Sequence, residues 1–187
     1  MVGGTAMSAH NFRKTSYDVD LYAQDFNDDV VYQVESEFKS KYGEQFKIDV
    51  TSVENIWGGI MLRDIAESEP DCIIQISHRD ITIRKLSPED LFLLKLDSSR
   101  EKDRDDLAVI YEKTNADRLI ARFNAIWKWH GNRDAVLGYA DNFVSVLQRL
   151  GGHIPADVLP RLELPEHMMT SLYEAWIPDN HEILRPE

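Results

Sequence analysis

Two aspartates separated by one residue, Asp18 and Asp20, lie in a short apolar stretch with Val19, Leu21 and Tyr22. The stretch predicts a β-strand, and because successive side chains of a strand point to opposite faces, residues two apart share a face. The two carboxylates are therefore expected to lie side by side, where they can hold the same cation. Oxygen-only ligands favour a hard ion, and Mg²⁺ typically binds one or two carboxylates together with substrate phosphates.

A pair of glycines comes before this strand. Gly3 and Gly4 are expected to form a turn, and the residues from Thr5 to His10 a short helical stretch. Because glycine has no Cβ, the N–H groups of such a turn can approach phosphate oxygens closely, and the positive end of a helix assists. The sequence thus predicts that a phosphate group and a metal ion meet at one point.

A helix is predicted after the Asp-Val-Asp strand. Asn27 or Asp28 can cap its start, and Gly43 is expected to end it. Apolar residues recur within it at helical spacing: Val30, Val31, Val34, Phe38 and Tyr42. We expect this apolar face to pack in the core.

A third carboxylate follows that helix in another short apolar segment. Asp49 lies between Ile48 and Val50, and a carboxylate is costly to bury there unless it binds a partner. The order of elements is strand, helix, strand. If the two strands are neighbours, Asp18, Asp20 and Asp49 lie near one another.

The order of these features resembles the polymerase-β-like nucleotidyltransferase superfamily, and within it the small bacterial nucleotidyltransferase-like proteins that include abortive-infection toxins. The likeness is carried by G-G-T-A-M at residues 3–7, R-K-T-S-Y-D-V-D-L at 13–21, L-S-P-E-D-L-F-L-L-K-L at 86–96 and R-E-K-D-R-D-D-L at 100–107. Together with the spacing between them, these stretches extend the resemblance over roughly residues 1–110.

This resemblance implies an α/β (α+β) fold, with a nucleotidyltransferase-type mixed sheet and flanking helices at residues 1–112 and a helical C-terminal part at 113–187. The implied reaction transfers a nucleoside monophosphate from an NTP to an acceptor hydroxyl. Two Mg²⁺ ions and catalysis would depend on Asp18, Asp20 and Asp49, of which Asp49 would also help to deprotonate the acceptor. The nucleotide would be bound by Gly3, Gly4, Thr5, Lys95 and Asp103.

Lys95 lies inside an apolar helix that Ser87 is predicted to cap. One interpretation is that the stem of the lysine lies over the protein surface with its amine in water. The resemblance favours another, in which the amine projects toward the glycine pair and reaches the triphosphate. Asp103 matches an acidic position of the family, whereas Asp105 and Asp106 can simply begin the next helix, where acids suit the helix dipole.

The remaining pattern predicts a hairpin and several helices. Residues 72–76 and 81–86 indicate two strands, and the chain is expected to be helical from Asn115 onward. Two apolar stripes mark these helices, one at Leu119, Ile120, Phe123, Ile126 and Trp127, the other at Val136, Tyr139, Phe143, Val146, Leu147 and Leu150. A last short helix is indicated around Met168 to Trp176.

Length and composition set the general class of the chain. With 187 residues, of which 43% are hydrophobic, it can bury one sizeable core, or one core with a helical annex. A single cysteine, Cys72, excludes an internal disulfide and a cysteine-based zinc site and fits a reducing compartment. No apolar run reaches the roughly eighteen residues of a membrane span, and the N-terminus lacks a signal pattern. We therefore expect a cytoplasmic protein without a membrane partner.

The net charge of −12 argues against broad nucleic-acid binding, which depends on Lys and Arg contacts to phosphate. The charge is uneven, however, because five basic residues and one acidic residue lie between Lys113 and Arg133. Arg118, Arg122 and Lys128 alternate there with aromatic residues. This stretch is either a solvated helix face or a surface for an anionic acceptor such as an RNA end. A protein hydroxyl or a small molecule as acceptor stays open, as does an antitoxin partner.

Two other classes of function stay open. The chain can be a catalytically degenerate nucleotidyltransferase fold that acts as a partner-binding module, since Met1 and Val2 alone stand where superfamily members carry a helix and a strand. It can also be a glycosyltransferase with an Asp-x-Asp metal site, although the upstream glycines and the third aspartate disfavour this class. Mg²⁺-dependent NTP binding distinguishes an active nucleotidyltransferase from both of these classes.

Overall fold

A computed structural model of the chain describes residues 1–14, 18–23, 26–51, 56–57, 60–61, 73–76 and 81–177, with the backbone alone for 56–57, 60–61, 73–76 and 81–83. The first elements in chain order are α1 (Gly3–Ala9), β1 (Asp18–Tyr22), α2 (Asp28–Tyr42), β2 (Lys47–Thr51), β3 (Ile56–Trp57), β4 (Ile60–Met61), β5 (Ile73–Ile76) and β6 (Ile81–Arg84). Helices follow: α3 (Pro88–Lys95), α4 (Glu101–Tyr111), α5 (Ala116–Ile126), α6 (Val136–Gly151), α7 (Pro155–Val158) and α8 (Glu166–Trp176). Short 3₁₀ turns lie at Trp127–Trp129, Arg133–Ala135 and Leu159–Arg161.

The strands confirm a fold with both α and β elements. β1 pairs in parallel with β2, and β5 pairs antiparallel with β6 as the predicted hairpin. β3 pairs with β4. The described strands thus show both parallel and antiparallel pairing, but they form separate two-stranded sheets, and the single mixed sheet that was predicted is not seen in this part of the chain.

Helix α2 forms as predicted but does not bury its apolar face. The Asn27 side chain accepts hydrogen bonds from the N–H groups of Asp29 and Val30, and the helix ends at Gly43, whose φ of 111° suits glycine. No residue of α2 is buried, and Phe38 is 40% exposed. The prediction that this face packs in the core is therefore wrong for α2. A pair of strands about 4.8 Å apart offers too narrow a surface to cover a helix about 10 Å wide.

The chain divides into two compact units, of which the first ends at Leu91 and the second takes up the chain from Phe92. The division falls inside α3 instead of at residue 112. The reason lies in contacts within the second unit, where the Tyr139 hydroxyl donates to the Leu93 carbonyl at 2.9 Å and the Asn142 amide donates to the Leu96 carbonyl at 2.7 Å. The end of α3 is therefore held by α6.

The second unit has an aromatic core built from the predicted apolar stripes. Phe123 of α5 stacks on Phe143 of α6 with ring centroids 4.6 Å apart and on Tyr139 at 5.6 Å, and all three side chains are fully buried. Helix α6 ends at Gly152, whose φ of 66° is the left-handed conformation that glycine adopts most readily. Among the described residues no helix is both long and apolar enough to cross a membrane.

Candidate functional site

Helix α1 is bonded to strand β1 through Thr5. The Thr5 hydroxyl donates to the Asp18 carbonyl at 3.1 Å and accepts from the Asp20 N–H at 2.7 Å. The Val2 N–H also donates to the Asp20 carbonyl, at 3.0 Å. Three hydrogen bonds therefore fix the start of α1 against the strand that carries two of the predicted site residues.

The two glycines lie in the first turn of α1, which begins at Gly3 and not at Thr5 as predicted. Gly3 has a φ of 50°, a left-handed conformation that a residue with a Cβ rarely adopts. This conformation starts the helix so that the Gly4 N–H donates to the Asp20 carboxylate at 2.9 Å. In the structure the Gly4 amide is thus bound to a carboxylate of the chain itself.

The predicted carboxylates lie on one face of the parallel strand pair. Asp18 and Asp20 are two apart on β1, and Asp20 is the register partner of Asp49 on β2. Side chains of register partners project to the same side, and neighbouring strands are about 4.8 Å apart. Strand pairing thus places the three acids on one face, as expected for neighbouring strands.

The charge on Asp20 is disfavoured in this arrangement. Burial first, and then the negative charges of Asp18 and Asp49, raise the pKa of Asp20, while the hydrogen bond from the Gly4 N–H lowers it. The carboxylate is thus ionised at a free-energy cost that a nearby cation would offset.

Lys47 is a member of this face that the sequence analysis missed. It is the register partner of Asp18, and its ammonium forms an ion pair with Asp49 at 3.0 Å. This hydrogen bond, followed by the charge of Asp49, raises the pKa of Lys47. The signal in the sequence was the spacing of two between Lys47 and Asp49, which places both on the same side of β2.

The residues of this face offer the type of donor atom that Mg²⁺ binds, but they are not arranged closely enough to hold the ion. Its donors are the carboxylate oxygens that Mg²⁺ prefers. However, within the described ranges no three His, Cys, Asp or Glu side chains converge closely enough to hold a metal ion. Asp49 is paired with Lys47, so its use as a ligand would require that ion pair to open.

Lys95 lies in a buried ion cluster of the second unit. Its ammonium pairs with Asp103 and, at 2.8 Å, with Asp106, and its side chain is only 9% exposed. Neither interpretation from the sequence foresaw this environment: the amine is not in water, and in this structure its partners are two carboxylates. Whether it also binds a triphosphate stays a prediction.

Asp103 is the centre of that cluster. Its carboxylate accepts hydrogen bonds from Lys95, from the Ser98 hydroxyl at 2.6 Å and from the Arg100 guanidinium at 2.6 Å. Burial alone would raise the pKa of Asp103, but these three donors outweigh burial and lower the pKa to about 2. The carboxylate is thus held ionised by groups of the protein.

Asp106 also belongs to this cluster, and the sequence analysis left it as an ordinary residue at a helix start. Asp103 and Asp106 are both buried on α4. Their spacing of three places them on one helix face. The sequence did contain a signal for this cluster. A lysine inside an apolar helix is followed, eight or more residues later, by two acids on one helix face.

The basic stretch is only partly available to a partner. The Trp129 ring lies 5.9 Å from the Arg122 guanidinium and 6.0 Å from the Lys128 ammonium, within reach of cation–π contacts. Phe123 and His130 are buried. Trp129 is thus a partly exposed ring that lies beside two of the positive charges.

Comparisons of the chain with family models, with curated proteins and with solved structures found no match.

Proposed function

We propose that the chain is a Mg²⁺-dependent nucleotidyltransferase, which transfers a nucleoside monophosphate from an NTP to an acceptor hydroxyl. The observation that supports this proposal is the position of Asp20. Its carboxylate accepts from the Gly4 N–H, it lies opposite Asp49, and burial followed by the charges of Asp18 and Asp49 raises its pKa. Three acids and one lysine on one face of the strand pair, with the Gly4 N–H bonded to Asp20, would favour a divalent cation and a phosphate at one place.

In the proposed reaction each acid has a distinct role. Asp18 and Asp20 would hold Mg²⁺, and the Gly4 N–H would keep the Asp20 carboxylate oriented. Bound Mg²⁺ supplies charge neutralisation for the triphosphate and for the departing pyrophosphate. Asp49, once released from Lys47, would bind the second ion and accept the proton of the acceptor hydroxyl.

The bond changes of the reaction balance as follows. The acceptor oxygen forms a bond to the α-phosphorus, the bond between that phosphorus and the bridging oxygen breaks, and pyrophosphate leaves with the electron pair. The hydroxyl proton passes to Asp49 and then to solvent. Gly3, Gly4 and Thr5 would border the phosphates. Lys95 would need to open its ion cluster to reach a phosphate.

The acceptor belongs to one of three chemical classes: an RNA end, a protein hydroxyl or a small molecule. Arg122, Lys128 and Trp129 form the surface that suits an RNA end, since they present two positive charges on an aromatic ring. The resemblance of the sequence supports a role as a toxin–antitoxin or abortive-infection component. In that role the protein would have an antitoxin partner.

Calorimetric titration with each of the four NTPs, with Mg²⁺ and with EDTA, tests this function. We expect Mg²⁺ to strengthen saturable NTP binding, and this Mg²⁺-dependent affinity to fall about tenfold or more in Asp18→Asn and Asp20→Asn, since each removes a charged ligand of the ion. Glu44→Gln is the matched control, because Glu44 is an exposed acid of the same unit outside the strand face. Equal NTP binding with EDTA would contradict the proposal.

A second candidate is a non-catalytic, partner-binding form of the same fold. Two observations favour it: Asp49 is occupied by Lys47, and Lys95 is occupied by Asp103 and Asp106. Such a protein would show no Mg²⁺-dependent NTP affinity in the titration. The two candidates therefore separate in one measurement.

A further inference from the structure

A cavity of about 360 Å³ opens within the second unit, between the loop that joins α3 to α4, helix α4 and helix α6. Its volume is at the lower end of the range of about 300–1,000 Å³ that small-molecule sites occupy. None of the residues assigned above to metal or nucleotide binding lines this cavity. It is therefore a separate feature of the helical unit.

Two arginines from different helices line the cavity, Arg104 of α4 and Arg149 of α6. Within the part of the chain that the structure describes, neither guanidinium has a hydrogen bond or an ion pair. Arg100 and Arg161, in contrast, are bound to Asp103 and Asp117. A guanidinium presents several N–H donors in a planar fork that matches the oxygens of a phosphate or carboxylate.

Neutral donors add to the two cations. Ser99 and Ser145 line the same cavity, and their hydroxyls have no hydrogen-bond partner among the described residues. The one acid of the lining is Asp97, and one of its oxygens accepts from the Asn142 amide at 3.0 Å. Two arginines against one partly satisfied aspartate leave the lining with a net positive charge.

Besides Ser98 and Asn142, the remaining lining residues are apolar. Leu96, Leu107 and Val146 contribute to the cavity and are at most 4% exposed, so they form its inner surface. An inorganic anion alone would leave this apolar surface in contact with water. A ligand with an anionic end and a carbon skeleton would use both parts of the cavity.

We propose that this cavity binds a small phosphate monoester, with its phosphoryl oxygens on Arg104 and Arg149 and its carbon skeleton against Leu96, Leu107 and Val146. Ser99 and Ser145 supply further donors to the phosphoryl group. Either a nucleoside monophosphate or a sugar phosphate provides this chemistry. The site lies within the second unit and requires no metal ion, so it is independent of the Asp18 and Asp20 site.

Calorimetric titration of the full chain in EDTA with adenosine monophosphate and with ribose 5-phosphate tests the proposal. We expect saturable binding of at least one ester, weakened about tenfold or more in Arg104→Gln and in Arg149→Gln. Lys102→Gln is the matched control, because Lys102 is exposed on the same helix as Arg104 and does not line the cavity. It should bind as the wild type does.

Asp97→Asn provides a test that misfolding cannot imitate. This variant removes the negative charge of the lining while its amide oxygen can still accept from Asn142, so ester binding should become tighter. The preferred ester identifies the source of the ligand. Absence of saturable ester binding at millimolar concentrations, equal losses in Lys102→Gln, or affinity for inorganic phosphate equal to that for both esters would each overturn the proposal.

The outcome is separable from that of the nucleotidyltransferase proposal. Asp18→Asn should bind the ester as the wild type does, since Asp18 belongs to the other unit. Arg104→Gln should retain Mg²⁺-dependent NTP binding. Each proposal can therefore fail while the other stands.

Discussion

Asp20 lies directly opposite Asp49 in the register of the parallel strands β1 and β2. The Gly4 N–H bonded to Asp20 offsets part of the repulsion between the two carboxylates. This relationship places two negative charges on neighbouring strands where neutral side chains would pack at lower free energy. In the proposed function, a cation bound beside these two acids would offset this cost.

Asp20→Asn is expected to raise the unfolding temperature. Because the pKa of Asp20 is raised in the folded protein, its ionised form is stabilised more in the unfolded chain, and folding gains stability as pH falls through the folded pKa. The amide keeps an oxygen for the Gly4 N–H and removes the charge. Thermal unfolding at neutral pH without metal, compared with Glu44→Gln, should show an increase of about 2–4 °C for each kcal/mol gained. A decrease would mean that the charged hydrogen bond to Gly4 outweighs burial and repulsion.

Lys47→Gln is expected to strengthen Mg²⁺ binding. The variant removes the ion pair that occupies Asp49, so the carboxylate becomes available as a ligand. An exposed ion pair contributes only about 0–1 kcal/mol, so the fold should hold. The Mg²⁺-dependent rise in unfolding temperature should be larger in Lys47→Gln than in Lys85→Gln, the control in the same unit. An equal rise in unfolding temperature in both variants would mean that Asp49 is not a ligand of Mg²⁺.

Lys95→Met is expected to destabilise the second unit by about 3–5 kcal/mol. The methionine fills the space, but Asp103 and Asp106 remain buried without their cation. Urea unfolding measures the loss of stability. Asp105→Asn is the control, because Asp105 is an exposed acid of α4, the helix that carries Asp103 and Asp106. Lys95→Met combined with Asp103→Asn and Asp106→Asn should recover most of the stability, and a lack of recovery would contradict this role of the cluster.

The acid limb of the stability curve should depend on Asp103. Its folded pKa of about 2 lies below the value of about 3.9 for an unfolded aspartate. The ionised form therefore contributes stability that is present above about pH 4 and is lost as pH falls toward 2. The contribution is on the order of 2–3 kcal/mol at neutral pH. Urea unfolding between pH 2 and pH 6 should show a shallower dependence on pH in Asp103→Asn than in the wild type, and parallel curves would contradict the assignment.

Local patterns in the sequence predicted several elements, although not the short strands β3 and β4. Alternation of apolar residues around Asp18 and Asp49 indicated β1 and β2, and the Asn27 and Gly43 signals bounded α2, because these features depend on neighbours along the chain. The exposure of α2 was not foreseen. An apolar face indicates which side of a helix can be buried. It does not indicate whether another element of the chain packs against that side, because such an element lies elsewhere in the sequence.

The contacts of the candidate sites were harder to predict. Burial of the Lys95 amine was not foreseen, and its pairing with Asp103 and Asp106 depends on how α3 and α4 pack. The ion pair between Lys47 and Asp49 depends on strand orientation and rotamers, which the sequence does not specify. Charge pairing in three dimensions thus changed the expected environment of two predicted residues.

The central claim is tested most directly by transfer of label from an NTP. The protein is incubated with Mg²⁺, a cell extract and NTPs labelled either at the α-phosphate or at the γ-phosphate. We expect label from the α-phosphate to appear in one fraction of the extract and label from the γ-phosphate to leave with pyrophosphate. Asp18→Asn and Asp20→Asn should abolish the transfer, while Glu44→Gln should retain it. No transfer by the wild type from any NTP, or equal transfer by the two aspartate variants, would contradict it.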